Sequence, residues 1–142
     1  MHSLLPKIDN LRFLCVLHSP DIICIVETWL DDTILDSEVS IQGYNHYRLN
    51  RSRHGSGVLI FVKNMFTFSL LFKGTLNCEC LVMSVTCCSS ISPDFTIALF
   101  YRPPSSGQES LDSLFSTLCN IFLLSSCKFY LVGDFNIDFF YF

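Results

Sequence analysis

KFYLVGDFN, Lys128 to Asn136, is an apolar run that ends in Gly-Asp-Phe-Asn. Lys128 to Val132 has the length and composition of a buried strand, so its C-terminal end delivers an Asp and an Asn together. In an extended backbone Asp134 and Asn136 point to one side while Phe135 packs on the other. A carboxylate acceptor and an amide donor then share one place. A β-turn, built from Gly, Asp and Asn for their turn conformations, is the alternative reading of the same residues.

Immediately upstream, Leu111, Leu114, Phe115, Leu118, Ile121 and Phe122 recur at the i, i+3, i+4, i+7 spacing of an amphipathic helix. Further outward, strands are predicted at Phe95 to Tyr101, stopped by Pro103-Pro104, and at Glu79 to Thr86 and Phe66 to Phe72. Lys73-Gly74 and Ser92-Pro93-Asp94 supply turns between them. Tyr44 to Leu49 and Gly57 to Val62 read as a hairpin joined by the basic loop NRSRHGSG. The segment from Thr28 to Gly43 is acidic and polar with isolated apolar residues, as a surface loop with or without a short helical turn would be. Ile22 to Val26 is a continuous β-branched and apolar run, as in a strand buried on both faces, and Glu27 follows it. Pro6 to Leu17 is predicted as a helix, with Pro6 in its first turn and Ile8, Leu11, Leu14 and Leu17 as its stripe. The order is helix, strand, several antiparallel-type strands, helix, strand. It predicts sheets covered by helices.

The chain has 142 residues, half of them apolar and 14 of them Phe, which suits one domain with a buried core and excludes a disordered, highly charged class. Its eight Cys contain no CxxC pair, so a zinc ribbon is not indicated. Most lie in apolar stretches, where a reduced thiol behaves as a small hydrophobe, and this fits a reducing compartment. No secretory leader is evident at the N-terminus, and no apolar stretch approaches the roughly 20 residues that span a bilayer. A nuclear or cytoplasmic, non-secreted, non-membrane protein is expected.

The formal charge of -4 argues against bulk electrostatic attraction to nucleic acid. Locally, though, Arg48, Arg51, Arg53, His54 and Lys63 gather in one region. The choice there lies between a solvated basic loop and a phosphate-contacting edge.

Four strings place polar groups at the ends of apolar strands: Glu27-Thr28, the loop Arg51 to Gly57, Tyr101 to Pro104, and Gly133 to Asn136. Strand ends hold side chains rigidly, which a catalytic constellation requires. Glu27 is a hard oxygen donor of the kind Mg2+ prefers, or simply the start of a solvated loop. Asp134 and Asn136 could orient an attacking water and steady a phosphate oxygen. Tyr101 could donate its phenol to a phosphate, or be a half-buried core residue. Arg102 adds a phosphate-compatible cation.

Taken in order, the strings resemble the endonuclease/exonuclease/phosphatase superfamily, and more narrowly the apurinic-type endonuclease of LINE-type, non-LTR retrotransposons. The resemblance rests on SLLPK at Ser3 to Lys7, ETWL at Glu27 to Leu30, the segment Gly43 to Val58, YRPP at Tyr101 to Pro104 and GDFNID at Gly133 to Asp138. It implies an α+β fold of two packed β-sheets flanked by helices, a four-layer αββα sandwich, with residues 1–142 forming a partial domain. It also implies Mg2+- or Mn2+-dependent nicking of DNA. Glu27 would be the metal carboxylate, Tyr101 a phosphate-contacting residue, Asp134 the residue that positions or deprotonates the water, and Asn136 its orienting partner. Arg51, Arg53 and Arg102 would contact nucleic acid. A reverse transcriptase domain is expected in the parent protein.

Compared with that pattern, the chain lacks a first strand before Met1 and a late catalytic His beyond GDFN. The expectation is therefore a domain incomplete at both ends, with weak or absent catalysis by descent. Two alternatives carry different chemistry: a phosphatase of the same superfamily, and a non-catalytic remnant.

Overall fold

The computed structural model of the chain describes residues 3–51, 55–74, 78–87 and 89–136. Alternation along the strands decides how its layers stack. In β3 (Val58–Lys63), Val58, Ile60 and Val62 join one hydrophobic cluster, while Leu59 and Phe61 join another. A strand that is apolar on both faces must be covered on both sides.

β3 is the centre of a three-stranded antiparallel sheet, between β1 (Ile22–Val26) and β2 (Tyr44–Leu49). A second sheet has the order β4 (Phe66–Gly74), β5 (Glu79–Cys87), β6 (Phe95–Tyr101), β7 (Lys128–Asp134). Its first three strands are antiparallel, and β7 joins β6 in parallel after the crossover through a long helix. The same two-residue alternation runs through this sheet. Leu81, Met83, Val85, Ile97, Leu99 and Tyr101 face the first sheet, while Cys80, Val82, Ala98 and Phe100 face outward.

Each outer face has its helix. α1 (Ile8–His18), preceded by a 3-10 turn at Leu5–Lys7 that contains Pro6, covers the first sheet with Ile8 and Cys15. The four-residue α2 (Asp36–Val39) adds Val39 to the same cluster, and the Arg12 guanidinium donates to the Ser40 and Glu38 carbonyls. α3 (Gln108–Leu124) lays Leu111, Leu114 and Leu118 on the second sheet, around a fully buried Phe100. Full burial of such a side chain contributes about 1.5–3 kcal/mol. The layers are helix, sheet, sheet, helix, as the sequence predicts. Among the described cysteines, Cys15, Cys24, Cys78, Cys80, Cys119 and Cys127 form no disulfide.

Three expectations need correction. The predicted α1 stripe of Ile8, Leu11, Leu14 and Leu17 does not stay on one face: Leu14 and Leu17 are 47 % and 62 % exposed. With about 3.6 residues per turn, steps of three drift by about 60° each, so Leu17 emerges opposite Ile8. Cys15, two turns on from Ile8, completes the buried face instead. The strand at Lys128 to Val132 is not buried: Tyr130 and Leu131 are 48 % and 37 % exposed. β1 is only half-buried along its length. Both strands stand at the edges of their sheets among the described residues, and apolar composition does not report how many neighbours a strand has. Among the described residues no helix is long and apolar enough to cross a membrane.

Candidate active site

The C-terminal ends of β1, β2, β6 and β7 and the N-terminal ends of β3 and β5 lie at one end of the sandwich, as the pairing registers within each sheet and the Tyr101–Glu27 and Gly57–Glu79 bonds between the sheets require. In the second sheet, Glu79 pairs across to Tyr101 and Tyr101 to Asp134. Paired residues share a face. Glu79, Tyr101 and Asp134 therefore form one row on the side that looks toward the first sheet.

Tyr101 is buried, and its hydroxyl donates to Oε1 of Glu27 across the gap between the sheets. This bond joins two of the predicted site residues although they are 74 positions apart. Burial first, then the hydrogen bond to Glu27 and the negative charges of Glu27, Glu79 and Asp134, push the Tyr101 phenol well above its ordinary pKa. At neutral pH it is a neutral donor. Asp134 is exposed, and its Oδ1 accepts the Asn136 amide at 3.1 Å.

Gly133 explains how Asp134 comes so close to Tyr101. It has φ +144° and lies against Phe100, where a Cβ would overlap the Phe100 backbone. Phe135 packs on the Phe100 ring at 5.1 Å between centroids, on the outward face. The Gly-Asp pair thus belongs to the strand, and a left-handed Asn136 (φ 45°) ends it. Asn136 Nδ2 donates to the Arg102 carbonyl at 2.6 Å, and Arg102 Nη1 returns a bond to the Asn136 carbonyl at 2.9 Å. Arg102 Nη2 donates to the Ser106 carbonyl at 2.9 Å. These two side chains fasten the end of β7 to the end of β6.

The strings from the first half of the chain meet at the same place. The Leu4 amide donates to the Thr28 carbonyl (2.9 Å), the Thr28 amide to the Gly57 carbonyl (3.0 Å), and the Trp29 amide to the Ser56 carbonyl (2.9 Å). Glu27, Trp29 and Ser56 are left-handed, with φ of 54°, 53° and 72°. Such residues cost about 1–3 kcal/mol each and persist where surrounding bonds hold them, often at active sites. Arg51 reaches the edge of this region, with Nη1 3.4 Å from Oε1 of Glu79. A polar cavity of about 140 Å³, lined by Arg51, Pro103, Ser105, Ser106 and Gly107, opens beside it. Arg53 lies outside the described residues.

Sequence reasoning missed Glu79. Its side chain is 1 % exposed, and Oε2 accepts the Gly57 amide at 2.7 Å. The available signal was a carboxylate opening the apolar run ECLVMSV, where an acid has no place unless it is paired.

The donor set can be tested against a divalent ion. Glu27 and Asp134 each keep one carboxylate oxygen without a partner among the described residues. No group of three or more His, Cys, Asp or Glu able to hold a metal occurs among the described residues. Two hard carboxylates fit Mg2+, which is commonly held by one or two carboxylates plus waters and substrate phosphates. They do not fit the closed nitrogen and sulfur cage of a structural zinc.

Alkaline pH offers a check on these environments. Burial pushes the Cys24 thiol up to about 11 and Cys80 to about 12, and raises Tyr44 and Tyr101 above their usual range. All are acids with raised folded pKa values, so above their unfolded pKa the unfolded chain binds fewer protons and stability falls as pH rises. The urea midpoint is expected to be flat to about pH 8 and to fall from about pH 9 upward. Tyr101→Phe should make the decline above about pH 10 shallower. A midpoint that rises through this window would contradict the burial described.

The sequence matches the Endonuclease/Exonuclease/phosphatase family over residues 3–141. No curated protein matches the chain by sequence. Among solved structures, the human Nocturnin catalytic domain with bound sulfate anion superposes with a TM-score of 0.67 at 18 % identity, covering 94 % of this chain and 57 % of that one. The 3' phosphatase NExo from Neisseria bound to product DNA hairpin gives 0.63 at 16 % identity, with 96 % and 55 % covered. The 3'-5' exonuclease NExo from Neisseria meningitidis gives 0.62 at 17 %, again with 96 % and 55 % covered. The chain thus spans little more than half the length of these structures, and at such identity the likeness establishes the fold alone. Because the family match runs through all five ordered strings, from Ser3 to the residues beyond Gly133, the chain belongs to the Endonuclease/Exonuclease/phosphatase family.

Proposed function

We propose that the chain is part of a metal-dependent phosphodiester hydrolase that nicks DNA, of the kind carried by LINE-type, non-LTR retrotransposons. The observation that carries this reading is the Tyr101–Glu27 bond, with Asp134 next to Tyr101 in the row. It joins a hard-ion ligand, a neutral donor and a base candidate at one end of the sandwich. Family enzymes generally use divalent metal ions. The ETWL and YRPP strings favour the retrotransposon branch, and a reverse transcriptase domain is then expected in the parent protein.

In this reading Glu27 would hold Mg2+ or Mn2+, with Asp134 on the other side of Tyr101 as the base. The bound ion would supply Lewis-acid stabilisation of charge on the phosphate. Tyr101, kept protonated, donates to a phosphate oxygen or to Glu27. Asp134 takes the proton of the water that attacks phosphorus, the bond from phosphorus to the 3' oxygen breaks, and the leaving 3' oxygen takes a proton from solvent to become a hydroxyl. Asn136 keeps Asp134 in place through its own amide. Arg51 supplies a phosphate contact at the edge. Arg102 donates to main-chain carbonyls in this structure and would contribute charge rather than a free fork.

Cleavage is to be measured on the chain alone and on the chain joined to the C-terminal part of a complete family member. Mg2+-dependent nicking of supercoiled plasmid, without comparable hydrolysis of inositol phosphates, is expected of the joined protein, and little or none of the chain alone. The reverse preference would replace this reading with a phosphatase. Arg51→Ala should weaken DNA binding and reduce the slope of log K against log salt by about 1. An unchanged slope would make the loop a solvated edge only.

A further inference from the structure

Glu79 opens β5 with its side chain almost wholly out of water. A buried ionised carboxylate is disfavoured unless it is hydrogen-bonded and paired. Both partners of Glu79 come from the other sheet's hairpin loop. Oε2 accepts the Gly57 amide at 2.7 Å, and Oε1 lies 3.4 Å from Arg51 Nη1. The Gly57 carbonyl in turn accepts the Thr28 amide at 3.0 Å, and Thr28 is the residue after Glu27. Gly57 is closely packed on Thr28, whose Oγ1 would overlap a Cβ placed there, with the Leu49 carbonyl in ordinary contact at 3.5 Å. One carboxylate therefore fixes a peptide, and that peptide fixes the backbone on which Glu27 stands in its left-handed conformation.

We propose that Glu79 is a positioning residue of this site: it holds the Gly57 peptide, through it orients Glu27, and draws the Arg51 guanidinium to the same edge. This rests on the reading of Glu27 as a metal carboxylate. Outer contacts of this kind are required because a ligand on a strand end keeps its aim only if its own backbone is held. Glu79 touches no substrate in this arrangement. Its effect passes through Gly57 and Arg51.

The test uses the full chain and its Glu79→Ala and Glu79→Gln variants, with Mn2+ alone as the probe and water-proton relaxation as the readout. Loss of a contact behind a metal ligand typically weakens metal binding about 10- to 100-fold, and this is expected for Ala. Gln keeps a carbonyl for the Gly57 amide and should rescue most of the affinity. The Gly57 amide proton should move upfield in Ala and much less in Gln. Arg51 should react severalfold faster with 2,3-butanedione in both, since both remove the paired charge. Should Ala not fold, Glu79→Asp takes its place, because it keeps the charge but withdraws the acceptor by one methylene; about a tenfold loss is then expected. A folded Ala variant with unchanged Mn2+ affinity overturns the proposal. So does a Gln variant as defective as Ala, since the charge would then act directly and not through the peptide. If the wild-type chain takes up no Mn2+, the metal reading fails. Glu79 is then decided by the Gly57 shift and Arg51 reactivity, and no change in either overturns its positioning role.

Discussion

Replacing Asp134 with Ala is expected to lower metal-dependent plasmid cleavage by about 100- to 10,000-fold, the usual cost of losing a general base. DNA affinity should hold steady or tighten, because the exposed Asp134 carboxylate would repel phosphates bound at this end of the sandwich. The loss should therefore appear in kcat at saturating DNA. Glu27→Gln should cost a comparable factor. The two carboxylates flank one phenol, Glu27 through the Tyr101 hydroxyl and Asp134 as its neighbour in register. Groups that act as a unit do not add, so the double variant should be little worse than the worse single one. A loss carried wholly by weaker DNA binding would place Asp134 in recognition rather than chemistry. Fully multiplicative losses would separate the two residues into independent roles.

What the sequence made legible and what it hid have physical causes. Apolar runs bounded by turn residues mark the strands nearly to the residue: Tyr44 to Leu49 and Phe95 to Tyr101 are β2 and β6 as predicted. That Glu27 and Tyr101 belong to one site is implied only by the family resemblance, and their hydrogen bond is not legible at all, since a contact across two sheets leaves no local spacing. Exposure of β1 and β7 was illegible, because an Ile or Val run looks the same with one neighbouring strand or two. The α1 stripe misled because a three-residue count ignores the drift of a 3.6-residue turn. Glu79 was overlooked because its partner is a backbone amide in another sheet, which no side-chain motif announces. GDFN admits two meanings, a strand end and a turn. The structure uses both, a strand through Asp134 and a left-handed residue at Asn136.

The second large effect is expected from Gly133→Ala, a change of one methyl group. Gly133 has φ +144°, where an L side chain is strained, and it sits in register with Phe100 on the parallel neighbour strand. The added Cβ would overlap the Phe100 carbonyl and its backbone, which cannot rotate away as a side-chain tip can. Overpacking a close site costs about 1–3 kcal/mol, and Ala at positive φ adds roughly 1 kcal/mol more. A loss of about 3 kcal/mol would lower Tm by about 10 °C in a chain of this size. Strand β7 can relieve the clash only by moving away from β6, and Asp134 moves with it. Cleavage should therefore fall even at temperatures where the variant is folded, and Tyr101 should lose part of the negative field that raises its pKa. The control is Gly107→Ala, with φ -68° and nothing within 4 Å of the place its methyl group would take, for which about 1 kcal/mol or less is expected from a poorer helix N-cap. Urea unfolding of both variants beside the parent decides the point. Equal, small losses at the two glycines would mean that β7 does not press on Phe100, and the row of Glu79, Tyr101 and Asp134 would lose the contact that sets its spacing.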